Sequence, residues 1–283
     1  MPRIILPGIL ICLFLCVPMG DMGYAYSYSG NIDRDADRGT YVTGDSLSIQ
    51  KKYRDNIESL SGSLKSEGFS QFEELLKDSR FEIYEEIGDR FRKSAERKSH
   101  GIDQYKRILG FEVKSQKINE FIDAHFDQLQ KAEDTYGIPK YVISAIIGIE
   151  SDYGRNIGSY NPFNSYVSMY AVDYRKDFAE AQLKELLKFT QSKGIDVFEL
   201  KSSYAGAMSF GQFIPYSINK WFVGDDIFDM NNNIMSVANY LSYFKERTGS
   251  LEKAVLRYNP SSLYTRAVLD LAQEAERSFG AGR

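Results

Sequence analysis

The sequence predicts a mainly α-helical protein with room for one small β element. Three observations carry this. Apolar residues recur at spacings of three and four along most of the chain, no strand-like alternation dominates, and glycine and proline fall where helices end and begin. No internal repeat of 20–50 residues is present, which leaves out a solenoid. With 283 residues, the chain is long enough to bury a substantial core.

Residues 1–25 read as an export signal. Arg3 is the lone charge ahead of an apolar run over residues 4–17; Pro18 and Gly20 break it, and Gly23-Tyr24-Ala25 offers a small-x-small cleavage pattern. The run is shorter than the roughly 20 apolar residues a spanning helix needs, and Pro7 and Gly8 interrupt it. A cleaved signal, and so a periplasmic protein, is therefore expected ahead of a retained anchor. Cys12 and Cys16 follow the bulky Ile11 and Leu15, which disfavours lipoprotein processing. Both cysteines leave with the signal, so the mature chain has no disulfide, thiolate nucleophile or cysteine metal site.

Residues 26–46, rich in Ser, Gly, Asp and Tyr, are expected to be a flexible linker. Asp33, Asp35 and Asp37 imitate the start of a calcium loop. Arg38 takes its obligatory glycine position and Gly44 its bidentate glutamate position, so the loop fails. Residues 47–107 form an N-terminal helical region with charged amphipathic segments at 69–76 and 81–95. A second domain is expected over 108–283.

Within that domain Ile118, Ile122, His125, Leu129, Ala132 and Tyr136 mark one face of a long helix, with His125 as a packed core residue. Gly137 suits its left-handed cap and Pro139 the start of the next helix. Residues 140–149 are apolar nearly all round and too short to span a membrane, which makes them a core helix. Further helices are expected at 178–191, 234–245, 251–258 and 262–279. Irregular loops fill much of 151–230, where the small β element would sit.

The formal charge of -4 argues against a nucleic-acid partner, which would need a basic face. Only His100 and His125 are available for histidine chemistry. The carboxylate that stands out is Glu150, at the end of the buried helix. Desolvation and the negative end of the helix dipole both disfavour its charged form, which suits a proton donor near neutral pH.

Ile147-Gly148-Ile149-Glu150-Ser151-Asp152-Tyr153-Gly154 resembles the catalytic-glutamate signature of the membrane-bound lytic murein transglycosylase B family. Ser203-Tyr204-Ala205-Gly206-Ala207-Met208-Ser209-Phe210-Gly211-Gln212-Phe213-Ile214-Pro215 is similar to its second signature. Tyr136-Gly137-Ile138-Pro139, the block from Ser236 to Leu241, and Tyr258-Asn259-Pro260-Ser261 with Tyr264 also match, in order. The likeness runs from about residue 108 to 272, and the gap from Glu150 to Gln212 fits the B-type spacing.

The resemblance implies a lysozyme-like catalytic core over 108–283 and an enzyme acting on peptidoglycan glycan strands. Glu150 would be its single catalytic acid/base, protonating the bond between N-acetylmuramic acid and N-acetylglucosamine and leaving 1,6-anhydro ends. Ser203, Gln212 and Asn259 would hydrogen-bond sugar hydroxyls and acetamido groups. Phe213, Tyr240, Tyr258 and Tyr264 would line sugar subsites, while Ala205, Ala207 and Trp221 are read as packing. No cofactor and no metal are expected, because residues 223–228 are shortened and lack calcium-ligand spacing. Ser209 and Tyr216 depart from the family's usual glycine and serine, and Arg175 with Phe178 only partly echoes its Arg-Arg-x-x-Phe-Phe stretch. Cell-wall machinery proteins are candidate partners. Two other readings stay open: a hydrolytic lysozyme using Asp152 or Asp173 as second carboxylate, and a peptidoglycan-binding protein without turnover.

Overall fold

The computed structural model describes residues 42–43, 51–96 and 101–281. The export signal and His100 lie outside the described residues, as does the expected linker apart from 42–43. Those two residues form β1 (Val42–Thr43), antiparallel to β2 (Glu82–Ile83), with Val42 opposite Ile83. The rest is helical, and among the described residues no helix is long and apolar enough to cross a membrane.

In the N-terminal region come α1 (Lys51–Ser66), α2 (Phe72–Leu75), α3 (Ile87–Glu96) and α4 (Ile102–Leu109). The segment expected as one helix over 81–95 therefore starts as a strand, and its helix begins only at Ile87. Tyr84 explains the difference: its backbone N–H is held by Ser168 Oγ at 2.8 Å, and its hydroxyl accepts the N–H of Asn161 at 3.1 Å. A tertiary contact overrides local helix propensity there.

Next are α5 (Phe111–Ala124), α6 (Phe126–Tyr136) and α7 (Lys140–Ser151). The long helix expected across 118–136 is broken at His125, whose φ of -122° and ψ of 22° are not helical. The break leaves Ile118, Ile122, Leu129 and Ala132 fully buried on both sides of the bend. His125 itself is only half-buried and packs on Phe121 with ring centroids 4.8 Å apart, correcting its expected place in the core. Desolvation lowers the pKa of its imidazole.

Every residue of α7 from Val142 to Ser151 is buried, as an all-round apolar helix requires. Gly137 caps α6 in the left-handed region. Around α7 stand α5, α6, α11 (Met230–Thr248) and α13 (Ser262–Ala281). A second layer is formed by α8 (Pro162–Ala171), α9 (Lys176–Lys193) and α10 (Pro215–Trp221), with α1 and α3 packed on α8. The short helix α12 (Leu251–Tyr258), capped by Ser250, lies against α11 and α13.

The sequence offered no helix for α8 or α10. All ten residues of α8 are buried, so it has no polar face and hence no period; its start is set by the Asn161 side chain, which accepts the Asn164 N–H at 3.1 Å. The small β element expected within 151–230 takes the form of isolated bridges joining Tyr160 to Ser202, Ser202 to Met208, and Met208 to Phe213.

Candidate active site

Glu150 sits in the last turn of α7 and is 1% exposed. The turn after it explains the spacing of its motif. Asp152, Tyr153 and Gly154 all have positive φ, at 50°, 60° and 85°. Such backbone is costly for the two non-glycine residues and persists only where neighbours hold it. Ser151 is one such neighbour: its hydroxyl donates to Ile147 O and accepts the Gly154 N–H, each at 3.0 Å. Tyr153 folds back over Gly148, where a Cβ would come 2.5 Å from the phenol ring, and donates to Lys114 O at 2.8 Å.

Opposite this turn the carboxyl meets α13. The Tyr264 hydroxyl donates to Glu150 Oε1 at 2.6 Å, and Ser261 Oγ fixes Tyr264 in the first turn by accepting its backbone N–H at 3.2 Å. Burial, and then the Glu150 charge, hold the phenols of Tyr258 and Tyr264 well above the ordinary tyrosine value. Both remain neutral donors over the working pH range. Tyr105 on α4 is near enough to add to the shift of Tyr264.

The 209–212 turn is closed by paired Met208 and Phe213 backbone hydrogen bonds at 2.9 and 2.8 Å. Ser209 and Gln212 are both left-handed and fully buried. Gln212 Nε2 donates to Ser209 O at 2.9 Å and to Ile157 O at 3.4 Å, tying the turn to the loop that follows Glu150. Gln212 Oε1 and Ser209 Oγ have no hydrogen-bond partner among the described residues. Tyr258 anchors the turn from α12, its hydroxyl donating to Gly211 O at 2.6 Å. It also lies in the field of Glu150, which brings the three motif blocks to one place.

The remaining expected site residues divide. Asn259 is 6% exposed at the end of α12, next to Tyr258. Ser203 is buried, and its Oγ accepts the Ala207 N–H at 3.2 Å within the 203–207 turn. At Gly206, φ is 78° and the Tyr166 ring occupies the space a Cβ would need. Phe213 and Tyr240 are 0% exposed. Their rings pack with Tyr258 and with Trp221 or Phe222, and the Tyr240 hydroxyl is used on Arg257 O at 2.8 Å. Like Tyr258 and Tyr264, these two rings are closed off from solvent, and they pack against the Tyr258 ring that anchors the turn.

The two carboxylates weighed for a hydrolytic role each lie beside a lysine. Asp152 is paired with Lys117 at 2.9 Å and Lys114 at 3.6 Å. The side chain of Asp173 is 77% exposed, 3.7 Å from Lys176. The lysines are what sequence reading missed. Their signal was present: Lys114 falls between Phe111 and Ile118 on the buried side of α5, an unusual place for an ammonium. Among the described residues no group of three or more His, Cys, Asp or Glu could hold a metal ion.

A family model described as the transglycosylase SLT domain matches residues 52–250. Membrane-bound lytic murein transglycosylase B of Escherichia coli is 32% identical over 127 residues, covering 42% of this chain and 35% of that protein. The chain thus matches about a third of that relative's length. The soluble lytic transglycosylase SltB1 of Pseudomonas aeruginosa superposes with a TM-score of 0.70 at 25% identity, covering 80% of this chain and 99% of that one. SltB3 of the same organism, solved with NAG-anhNAM-pentapeptide, gives 0.67 at 20% identity over 82% of this chain and 81% of its own. The mainly α, lysozyme-like core expected from the sequence is thereby matched. The chain belongs to the transglycosylase SLT domain family.

Proposed function

We propose that this protein is a peptidoglycan lytic transglycosylase in which Glu150 performs both proton transfers. The observation that carries the reading is Glu150 itself: a buried carboxyl that ends the core helix, takes a hydrogen bond from Tyr264, and shares its surroundings with the Gln212 and Tyr258 segments. A dry setting favours the neutral acid, ready to donate.

The protonated Glu150 gives its hydrogen to the glycosidic oxygen between N-acetylmuramic acid and N-acetylglucosamine, and the bond from C1 to that oxygen breaks. The substrate's 2-acetamido oxygen shares the positive charge at C1. Glu150, now a carboxylate held by the Tyr264 hydroxyl, takes the proton of the C6 hydroxyl. That oxygen closes on C1 and forms the 1,6-anhydro ring. Glu150 is thereby restored, and no water is consumed. Ring closure is intramolecular, so the nucleophile is already at high effective concentration. Gln212, Ser203 and Asn259 would supply hydrogen bonds to sugar hydroxyls and acetamido groups. Engagement of Asp152 by two lysines supports this route over hydrolysis with two carboxylates.

The names of the murein-cleaving relative and of the anhydro-muropeptide complex support glycan strands as substrate. Such strands lie outside the cytoplasmic membrane. That agrees with the apolar run over residues 4–17 acting as an export signal.

Mass spectrometry of soluble products from purified sacculi tests the proposal. Anhydro ends, lighter by one water and resistant to borohydride, are expected. Reducible, water-bearing ends would mean a lysozyme, and sacculus binding without release would mean a binding protein.

A further inference from the structure

Lys114 is 8% exposed on the buried side of α5. An ammonium taken out of water needs a partner. Its Nζ lies 3.6 Å from Asp152 Oδ1, but that carboxylate is already engaged: Lys117 Nζ, one turn along α5, donates to it at 2.9 and 3.3 Å. Two cations share one anion, which leaves a net positive charge. Asp152 is the cap of α7, two residues beyond Glu150, and the Tyr153 hydrogen bond to Lys114 O clamps α5 onto this same turn.

We infer that Lys114 is a positioning residue for the acid/base cycle, its ammonium stabilising the carboxylate that Glu150 becomes once its proton has passed to the leaving oxygen. The inference rests on the lytic transglycosylase reading and adds a group to it. Glu150 has to tolerate both charge states in one turnover. A dry site suits the neutral state and opposes the ionised one. Tyr264 contributes a hydrogen bond but no charge. A fixed cation within electrostatic reach restores the balance.

The electrostatics agree. Burial pushes the Lys114 ammonium down, the neighbouring Lys117 adds to this, and Asp152 and Glu150 pull it back up. Among the groups near Glu150 are Tyr264 from α13, with Tyr105 of α4 close to it, Tyr258 from α12, and Lys114 from α5. The three phenols are buried. Of these groups Lys114 is the one that carries a charge, within its cluster with Lys117 and Asp152.

The test is the pH dependence of product release from sacculi by the full protein and its Lys114→Met, Lys114→Gln and Lys114→Arg variants. Activity falls at alkaline pH as Glu150 loses the proton it must donate. A nearby cation favours the carboxylate, so its removal makes Glu150 hold its proton longer. The alkaline limb should move up by about one pH unit in the Met and Gln variants, and Arg should keep it in place. An unmoved limb in active Met and Gln variants overturns the inference, as does an Arg variant that shifts like Met. If both neutral variants fail to fold while Arg folds, the charge is structural and the inference is again overturned. A wild-type protein that releases nothing defeats the parent reading; an active one with an unmoved limb defeats only this step.

Discussion

Tyr264 and Glu150, 114 positions apart in the chain, are joined by a 2.6 Å hydrogen bond in which the phenol donates to Oε1. The packing of α13 on α7 makes the bond possible, and the high pKa of the buried phenol keeps its proton in place. A donor of this kind helps the charged form of the acid more than the neutral form.

Tyr264→Phe keeps the ring in the core and removes that donor. Hydrogen bonds to charged groups contribute about 1.5–3 kcal/mol, so kcat should fall about tenfold to a hundredfold. The alkaline limb should also move to higher pH, since the carboxylate has lost a stabilising partner. Steady-state rates on sacculi across pH check both, and an unchanged kcat would separate Tyr264 from catalysis.

Glu150→Gln replaces the acid with an amide of the same shape that neither donates nor accepts the catalytic proton. Positioned general acid–base groups contribute about a hundredfold to ten-thousandfold, and here one residue serves two steps. Release of soluble muropeptides should drop by at least about a thousandfold. The melting temperature and sacculus binding should stay near wild type, because the Gln oxygen can still accept from Tyr264. Activity close to wild type would remove Glu150 from the mechanism.

Most of this architecture was legible in the sequence where a helix has two unlike faces or a marked end. The Leu251–Tyr258 helix and the cap at Gly137 are examples. Helix α8 was not legible, because a segment buried on every side carries no period. Nor was the bend at His125, since the apolar spacing continues through it and only the backbone angles reveal it. In the site, Glu150 was marked by its motif. Phe213 and Tyr240 belong to the same family blocks, yet motif membership did not reveal that their rings pack with Tyr258 in the core. Lys114 lies outside every block, and its meaning depends on α5 lying beside the end of α7.

Gly148 should be sensitive for a reason unrelated to helix propensity. A Cβ there would stand 2.5 Å from Tyr153 Cζ and 2.7 Å from its hydroxyl oxygen. In Gly148→Ala the ring must leave, taking with it the hydrogen bond to Lys114 O and disturbing the left-handed turn beside Glu150. Overpacking of this kind costs about 1–3 kcal/mol, and activity should fall with it. Combining it with Tyr153→Ala removes the clash, so urea denaturation should show the double variant less destabilised than the sum of the singles. Simple additivity would mean that the ring and the glycine are not coupled.

Chelation supplies a last prediction, argued from the loop ahead of α11. Three aspartates lie close together there, but each is committed to a local partner. Asp225 pairs with Lys193 at 2.5 Å, Asp226 Oδ1 accepts the Phe228 N–H at 2.8 Å, and Asp229 Oδ1 accepts the Asn232 N–H at 2.8 Å as the cap of α11. A calcium loop instead turns six to eight oxygens toward one centre. Incubation with a strong chelator should leave both the melting temperature and the rate on sacculi unchanged, and added calcium should raise neither. A melting temperature that falls on chelation and recovers with calcium would mean that these aspartates reorganise around an ion. Asp226→Asn and Asp229→Asn would then abolish the recovery.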